Sequence, residues 1–186
     1  MLRRNLIAAA AAMPVAVLVT RAFAQDAAAP KMGEAEMTHA EQTGMVGSLS
    51  LLQSRLAVTK ATDAKVKEFA SFEVAEQETI GDILKSLKMP ADEAQGALMP
   101  PTDEEAVAMV DEAGKAKLTE LEGLAGADFD KAYVAANLEG HQKLLGIQEA
   151  YLTAGTNREH LSVAKLARGQ VTEHIAHLEE LNSMLG

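Results

Sequence analysis

The side chains able to do chemistry in this chain are few. There is no cysteine, and five histidines stand among 27 acidic residues. This excludes disulfides, thiolate metal sites and cysteine nucleophiles, and leaves imidazole and carboxylate as the reactive set. Leu138, His141 and Leu145 recur at 3-4 spacing, and Val171, His174, Leu178, Leu181 and Leu185 at 3-4-3-4, the period of one helix face. Both faces therefore carry an inward imidazole, and His177 lies on the stripe beside His174. A third seam, Val66, Phe69, Glu73, Glu76, Ile80, Ile83 and Leu87, places two carboxylates where a helix face calls for hydrophobes. Burying a carboxylate is costly unless it is paired or bound to a metal. Glu73, Glu76, His141, His174 and His177 are thus the candidate metal ligands. Imidazole with carboxylate suits Fe, Mn, Zn or Cu. The same residues also fit a metal-free reading, in which Glu73 pairs with His141 or His174 as a buried polar bridge that sets helix register.

Other chemistry is weaker. Glu36 and His39 have the Glu-x-x-His spacing, but at the start of the first helix, which predicts an exposed end. Met32, Met37 and Met45 around His39 could form a soft copper cluster, although methionine at helical spacing is more often core. His160 falls in the first turn of its helix and is expected to be solvated. There is no G-x-S-x-G elbow, phosphate-cradling loop or EF-hand spacing. The formal charge of -10 argues against nucleic acid as a partner, because phosphate binding needs a cationic face. With 3% aromatics, stacking platforms for sugars or bases are disfavoured.

The elements that must position these residues can be read from punctuation and period. Met1 to Ala24 has the form of a signal peptide: Arg3 and Arg4, an apolar run from Leu6 to Val19, and Ala22-Phe23-Ala24 before Gln25. The arginine pair also suits twin-arginine export. Cleavage after Ala24 would remove three of the 17 basic residues and none of the acids, leaving a more acidic, extracytoplasmic chain. The apolar run is shorter than the roughly 20 residues of a spanning helix. No later stretch approaches that length, so no membrane span is expected after cleavage. Residues 25–32 read as a flexible tail and 33–186 as one helical domain. A first helix is predicted over 33–60, with the stripe Met45, Leu49, Leu52, Leu56. A second runs from Thr62 or Asp63 to about Lys88. Pro90, Pro100 and Pro101 mark a connector, and a short third helix is predicted from Thr102 to Gly123. The last two helices are expected over 129–154 and from Gly155-Thr156-Asn157 to Leu185. Two tight joints make two antiparallel hairpins. A long crossover between them predicts an all-α, ferritin-like four-helix bundle with a short extra helix in the crossover.

Gly126-Ala-Asp-Phe129-Asp130-Lys-Ala-Tyr133-Val followed by Glu139-Gly-His141 resembles an exported bacterial family, domain of unknown function 4142. Its members are often labelled outer membrane proteins and are assigned a ferritin-like helical bundle. Asp63 to Ala70 is similar to the block that opens the family's second helix, and Val171-Thr-Glu-His174-Ile175 to its terminal block. The similarity covers about residues 38 to 185. It implies the fold and an extracytoplasmic compartment, and carries over His141 and His174. Two positions depart from the pattern. The family usually has an Asp-His pair where Glu76-Gln77 stand, and often an acid where Gly47 follows Gly44.

The expected protein is a periplasmic, non-enzymatic binding or envelope- and stress-associated bundle, with an envelope protein or a second copy of itself as partner. The alternative is a bundle that stores, buffers or oxidises Fe, Mn or Cu through inward Glu and His.

Overall fold

The computed structural model describes residues 32–90, 93 and 95–186. The signal peptide expected at 1–24 and nearly all of the tail expected at 25–32 lie outside the described residues. Among the described residues the chain is all-α, with no strand: α1 Glu34–Lys60, α2 Ala64–Ser86, α3 Asp103–Met109, α4 Glu112–Gly123, α5 Gly126–Ala154 and α6 Arg158–Leu185. α1 packs on α2 and on α5, and α5 packs on α6, while α3 and α4 lie mainly against α1.

Each hairpin is set by a cap. Asp63 accepts from the Lys65 and Val66 amides to start α2, and Asn157 accepts from His160 N to start α6. Such caps satisfy amides that have no partner inside the helix. The joints are then tied crosswise. Glu36, in the first turn of α1, accepts from the amides of Thr156 and Asn157 at 3.1 and 3.2 Å. Asp130, in the first turns of α5, accepts from Thr62 N at 3.0 Å and Asp63 N at 2.8 Å, and from the Thr62 hydroxyl. The pairs Glu36 and Asp130, Thr62 and Thr156, Asp63 and Asn157 share one sequence offset. The two hairpins are therefore related by an approximate two-fold, each capping the joint of the other.

Three features differ from the sequence reading. The helix expected over 102–123 is two helices. Val110 turns to extended backbone, and Asp111 caps a new start by accepting from Gly114 N at 2.7 Å. An aspartate that can satisfy a backbone amide competes with helix continuation. α5 begins at Gly126, whose φ of 58° admits a turn that a side chain would strain. The inward face of α1 is not Met45, Leu49, Leu52 and Leu56, of which only Leu52 is buried. It is Glu36, His39, Thr43, Gly47, Ser50, Ser54 and Ala57, a small and polar stripe that faces the polar side of α5. The apolar residues of α1 serve a different neighbour: Leu51 and Leu52 receive Ala106 and Val110 of the crossover. The main core, Val66, Phe69, Phe129, Tyr133, Leu178 and Leu181, gathers toward the α1–α2 joint.

Candidate metal centre

Midway along the long helices, Glu73 of α2, His141 of α5 and His174 of α6 converge. Glu73 and His141 have no exposed side-chain surface, and His174 is 15% exposed. Glu73 Oε2 lies 3.0 Å from His174 Nδ1 and 3.2 Å from His141 Nε2, and the two ring nitrogens are 3.3 Å apart. A metal about 2.1 Å from each of three such atoms sets them roughly 3.0–3.4 Å apart. The triangle already has the edges of a coordination sphere.

Each corner is held from behind. His141 Nδ1 donates to the Asn137 carbonyl at 2.8 Å, one helical turn earlier, which turns Nε2 toward the centre. His174 turns its Nε2 to Glu76 Oε2 at 3.3 Å. The other oxygen of Glu73, Oε1, takes the Ser50 hydroxyl at 2.6 Å and the Gln77 amide at 3.0 Å. Ser50 Oγ also lies 2.7 Å from Asn137 Oδ1, so α1 links the carboxylate to the helix that carries His141. Ligating histidines are commonly oriented in this way, by a carbonyl or a carboxylate on the second ring nitrogen. The Phe69 ring closes one side, 5.2 Å from the His174 ring and 6.2 Å from that of His141.

The electrostatics follow from burial against pairing. Burial opposes the Glu73 charge, but the bonds from His141 and His174 outweigh it and hold the carboxyl below the usual carboxylate range. Burial pulls the His174 ring down, while its bond to Glu73 and the charge of Glu76 carry it above its ordinary value. Burial pushes Glu76 up.

Of the five residues singled out by seam, three form the triangle. Glu76 stands outside it, against the far nitrogen of His174. His177 is exposed, with its ring nearly perpendicular to that of Phe69 at 6.0 Å between centroids. Ser50, Gln77 and Asn137 were not foreseen. Their signal was the polar α1 stripe and the Asn137–His141 spacing of one turn.

The family model described as domain of unknown function (DUF4142) matches residues 21–181. The chain belongs to that family. Comparison with curated proteins and with solved structures finds no match to either. In this DUF4142 chain the two departures noted in sequence meet in space: a methyl at Gly47 would lie 2.5 Å from Gln77 Oε1. Gly47 is thus the gap that lets Gln77 reach Glu73. No described helix of this DUF4142 member is long and apolar enough to cross a membrane.

Two other sequence expectations are corrected by burial. His160 was expected in solvent and is fully buried. Glu36 and His39, placed at an exposed end, are 3% exposed each. All three are covered because the α5–α6 joint folds over the start of α1.

Proposed function

We propose that this DUF4142 member is an exported, ferritin-like four-helix bundle that binds one transition-metal ion, Fe, Mn or Cu, through Glu73, His141 and His174. The observation that carries the reading is the convergence of three atoms that can each ligate a metal. With His141 Nδ1 committed to the Asn137 carbonyl and His174 Nε2 turned to Glu76, the atoms left facing one another are Glu73 Oε2, His141 Nε2 and His174 Nδ1. With both rings neutral and their protons on these far nitrogens, the three facing atoms are all acceptors, which repel at such separations unless a cation sits among them. Two imidazoles and one carboxylate form a donor set suited to borderline divalent metals, Fe(II) among them. Export is supported by the Ala22-Phe23-Ala24 site after a short apolar run. The proposed role is binding, storage or buffering in the envelope, and it assigns no reaction.

A proton is the rival cation. The charges of Glu73 and Glu76 on His174 favour an imidazolium that donates to both carboxylates, and the centre would then be a buried ion-pair network. Metal analysis separates the two. Mature protein equilibrated with Fe(II), Mn(II) or Cu(II) and then dialysed should retain about one ion per chain, and its melting temperature should rise. At a free metal concentration 100 times Kd, the native state gains about 2.7 kcal/mol. The His141→Ala/His174→Ala double variant should lose both the ion and the rise. Near-zero metal in both proteins would leave the proton reading standing.

A further inference from the structure

A second buried polar cluster lies where α1 begins, α5 ends and α6 begins. It shares no residue with the Glu73 centre and does not depend on the metal reading. His39 and Ser50 are about 16 Å apart along α1. His39 Nδ1 is 2.7 Å from His160 Nε2, and His39 Nε2 is 2.7 Å from Gln148 Oε1. Gln148 Nε2 donates to the Thr43 hydroxyl at 3.1 Å, so its Oε1 is the acceptor and His39 Nε2 carries a proton. The Tyr151 ring lies against His39, tilted by 32° with centroids 4.4 Å apart, and its hydroxyl donates to Glu36 at 3.0 Å. His160 Nδ1 is buried and, among the described residues, has no hydrogen-bond partner.

Proton counting shows what this arrangement tolerates. Two neutral rings carry two protons. One is on His39 Nε2, and one lies in the bond between the rings. His160 Nδ1 is then a bare lone pair, which is the cheapest way to bury an unpartnered ring nitrogen. A third proton has one place to go. Whether the positive charge is drawn on His39 or on His160, the result is a buried Nδ1–H on His160 that faces no acceptor among the described residues. The charged group acting on either ring is Glu36, from α1. Its Oε1 already accepts from Tyr151, Thr156 and Asn157, and its Oε2 from Gly33 N. From α5 come Tyr151, a donor already committed to Glu36, and neutral Gln148. The adjoining cluster toward α2 is apolar: Ala40, Ile80, Leu84, Val163 and Ala167. Burial accordingly pulls both rings below the ordinary histidine value.

We propose that the His39–His160 pair is an acid-operated latch: an added proton leaves His160 Nδ1–H buried without an acceptor, so proton uptake is coupled to opening of the α5–α6 joint, which parts α6 from α1 while α2 stays folded. The joint is the part that must move, because Glu36 holds Thr156 and Asn157 from the same turn of α1 that carries His39.

Amide hydrogen exchange across a pH series, corrected for intrinsic rates, tests the latch. Protection at residues 34–43 and 155–163 should fall by at least about tenfold per pH unit below the ordinary histidine value, approaching about a hundredfold as both released rings take up a proton on opening. Residues 64–86 should keep their protection. In a His39→Gln/His160→Met variant the pH response of the two end segments should vanish. Equal protection at pH 7 and pH 5 in the natural chain, or a persisting response in the variant, would overturn the proposal. Should the variant fail to fold, ring titration by NMR in the natural chain decides. Protonation of His39 and His160 in step with exchange at Thr156 and Asn157 supports the latch. Rings that take up protons while those amides stay protected sink it.

Discussion

A carboxylate with no exposed surface, placed between two imidazoles, makes Glu73 the residue on which both readings of the centre depend. Removing its charge leaves His141 and His174 without their shared partner, and Ser50 and Gln77 without their acceptor. Breaking a buried pair by removing one member costs about 3–5 kcal/mol. Glu73→Gln keeps the shape and should lower the unfolding free energy by roughly 3 kcal/mol in urea melts, while also abolishing retention of added metal. A variant as stable as the natural chain would mean that the carboxylate is already neutral in the native state. Glu73, His141 and His174 were legible in sequence because each interrupts an apolar 3-4 seam. Glu76 and His177 were less so. The seam drawn through Glu76, Ile83 and Leu87 drifts off the buried face, which runs through Gln77 and Leu84. A period of 3.6 allows either neighbour to follow Glu73, and only the position of α1 and α6 chooses between them.

At the scale of helices and joints, the crosswise caps matter most. Asp130 is 1% exposed and serves two amides and a hydroxyl of the other hairpin. Hydrogen bonds to a charged group are each worth about 1.5–3 kcal/mol. Asp130→Ala should therefore destabilise by roughly 3 kcal/mol, and Asp130→Asn, which keeps one acceptor oxygen, by roughly half as much. Thermal melts of the two variants check the order; equal losses would show that the charge, and not the acceptor, holds the joint. The joints themselves were visible in sequence, as Ala61-Thr62-Asp63 and Gly155-Thr156-Asn157. Their caps from across the molecule were not, because a lone acid in a first helical turn reads as an ordinary response to the helix dipole. The α1 stripe was hidden for a related reason. Its leucines outscore its serines in any hydrophobic count, yet Leu49, Leu51 and Leu52 pack with the crossover residues Ala106 and Val110, and Ser50 and Ser54 meet α5.

Across the whole molecule, stability against pH is a sum of opposed terms. Glu36 is held down to about 2, most strongly by the Thr156 amide against the cost of burial. Its contribution is complete above the ordinary value of 4.5 and is lost as pH falls from there toward 2. Burial takes His160 from 6.5 to about 4. The unfolded chain binds that proton first, so the native state loses ground between 6.5 and about 4, on the order of 3 kcal/mol. His174, raised above its ordinary value by Glu73 and Glu76 against burial, acts the other way and stabilises at low pH until Glu73 is protonated. The expected profile is a melting temperature that is highest near neutrality, declines below about pH 6.5, and drops more steeply below about 4.5 as Glu36 joins. A flat profile from pH 7 to pH 4.5 would show that His160 is not held neutral. The sequence by itself determined the helical class, the two hairpins, the family and three ligand-type residues, because these rest on period, caps and turn chemistry, which are local. The tertiary structure alone decided that Glu73, His141 and His174 share one point, that α1 is polar inside, and that His39 and His160 are buried together. Those depend on which faces meet across the α1–α5 and α5–α6 contacts, and burial is a property of the neighbour as much as of the residue.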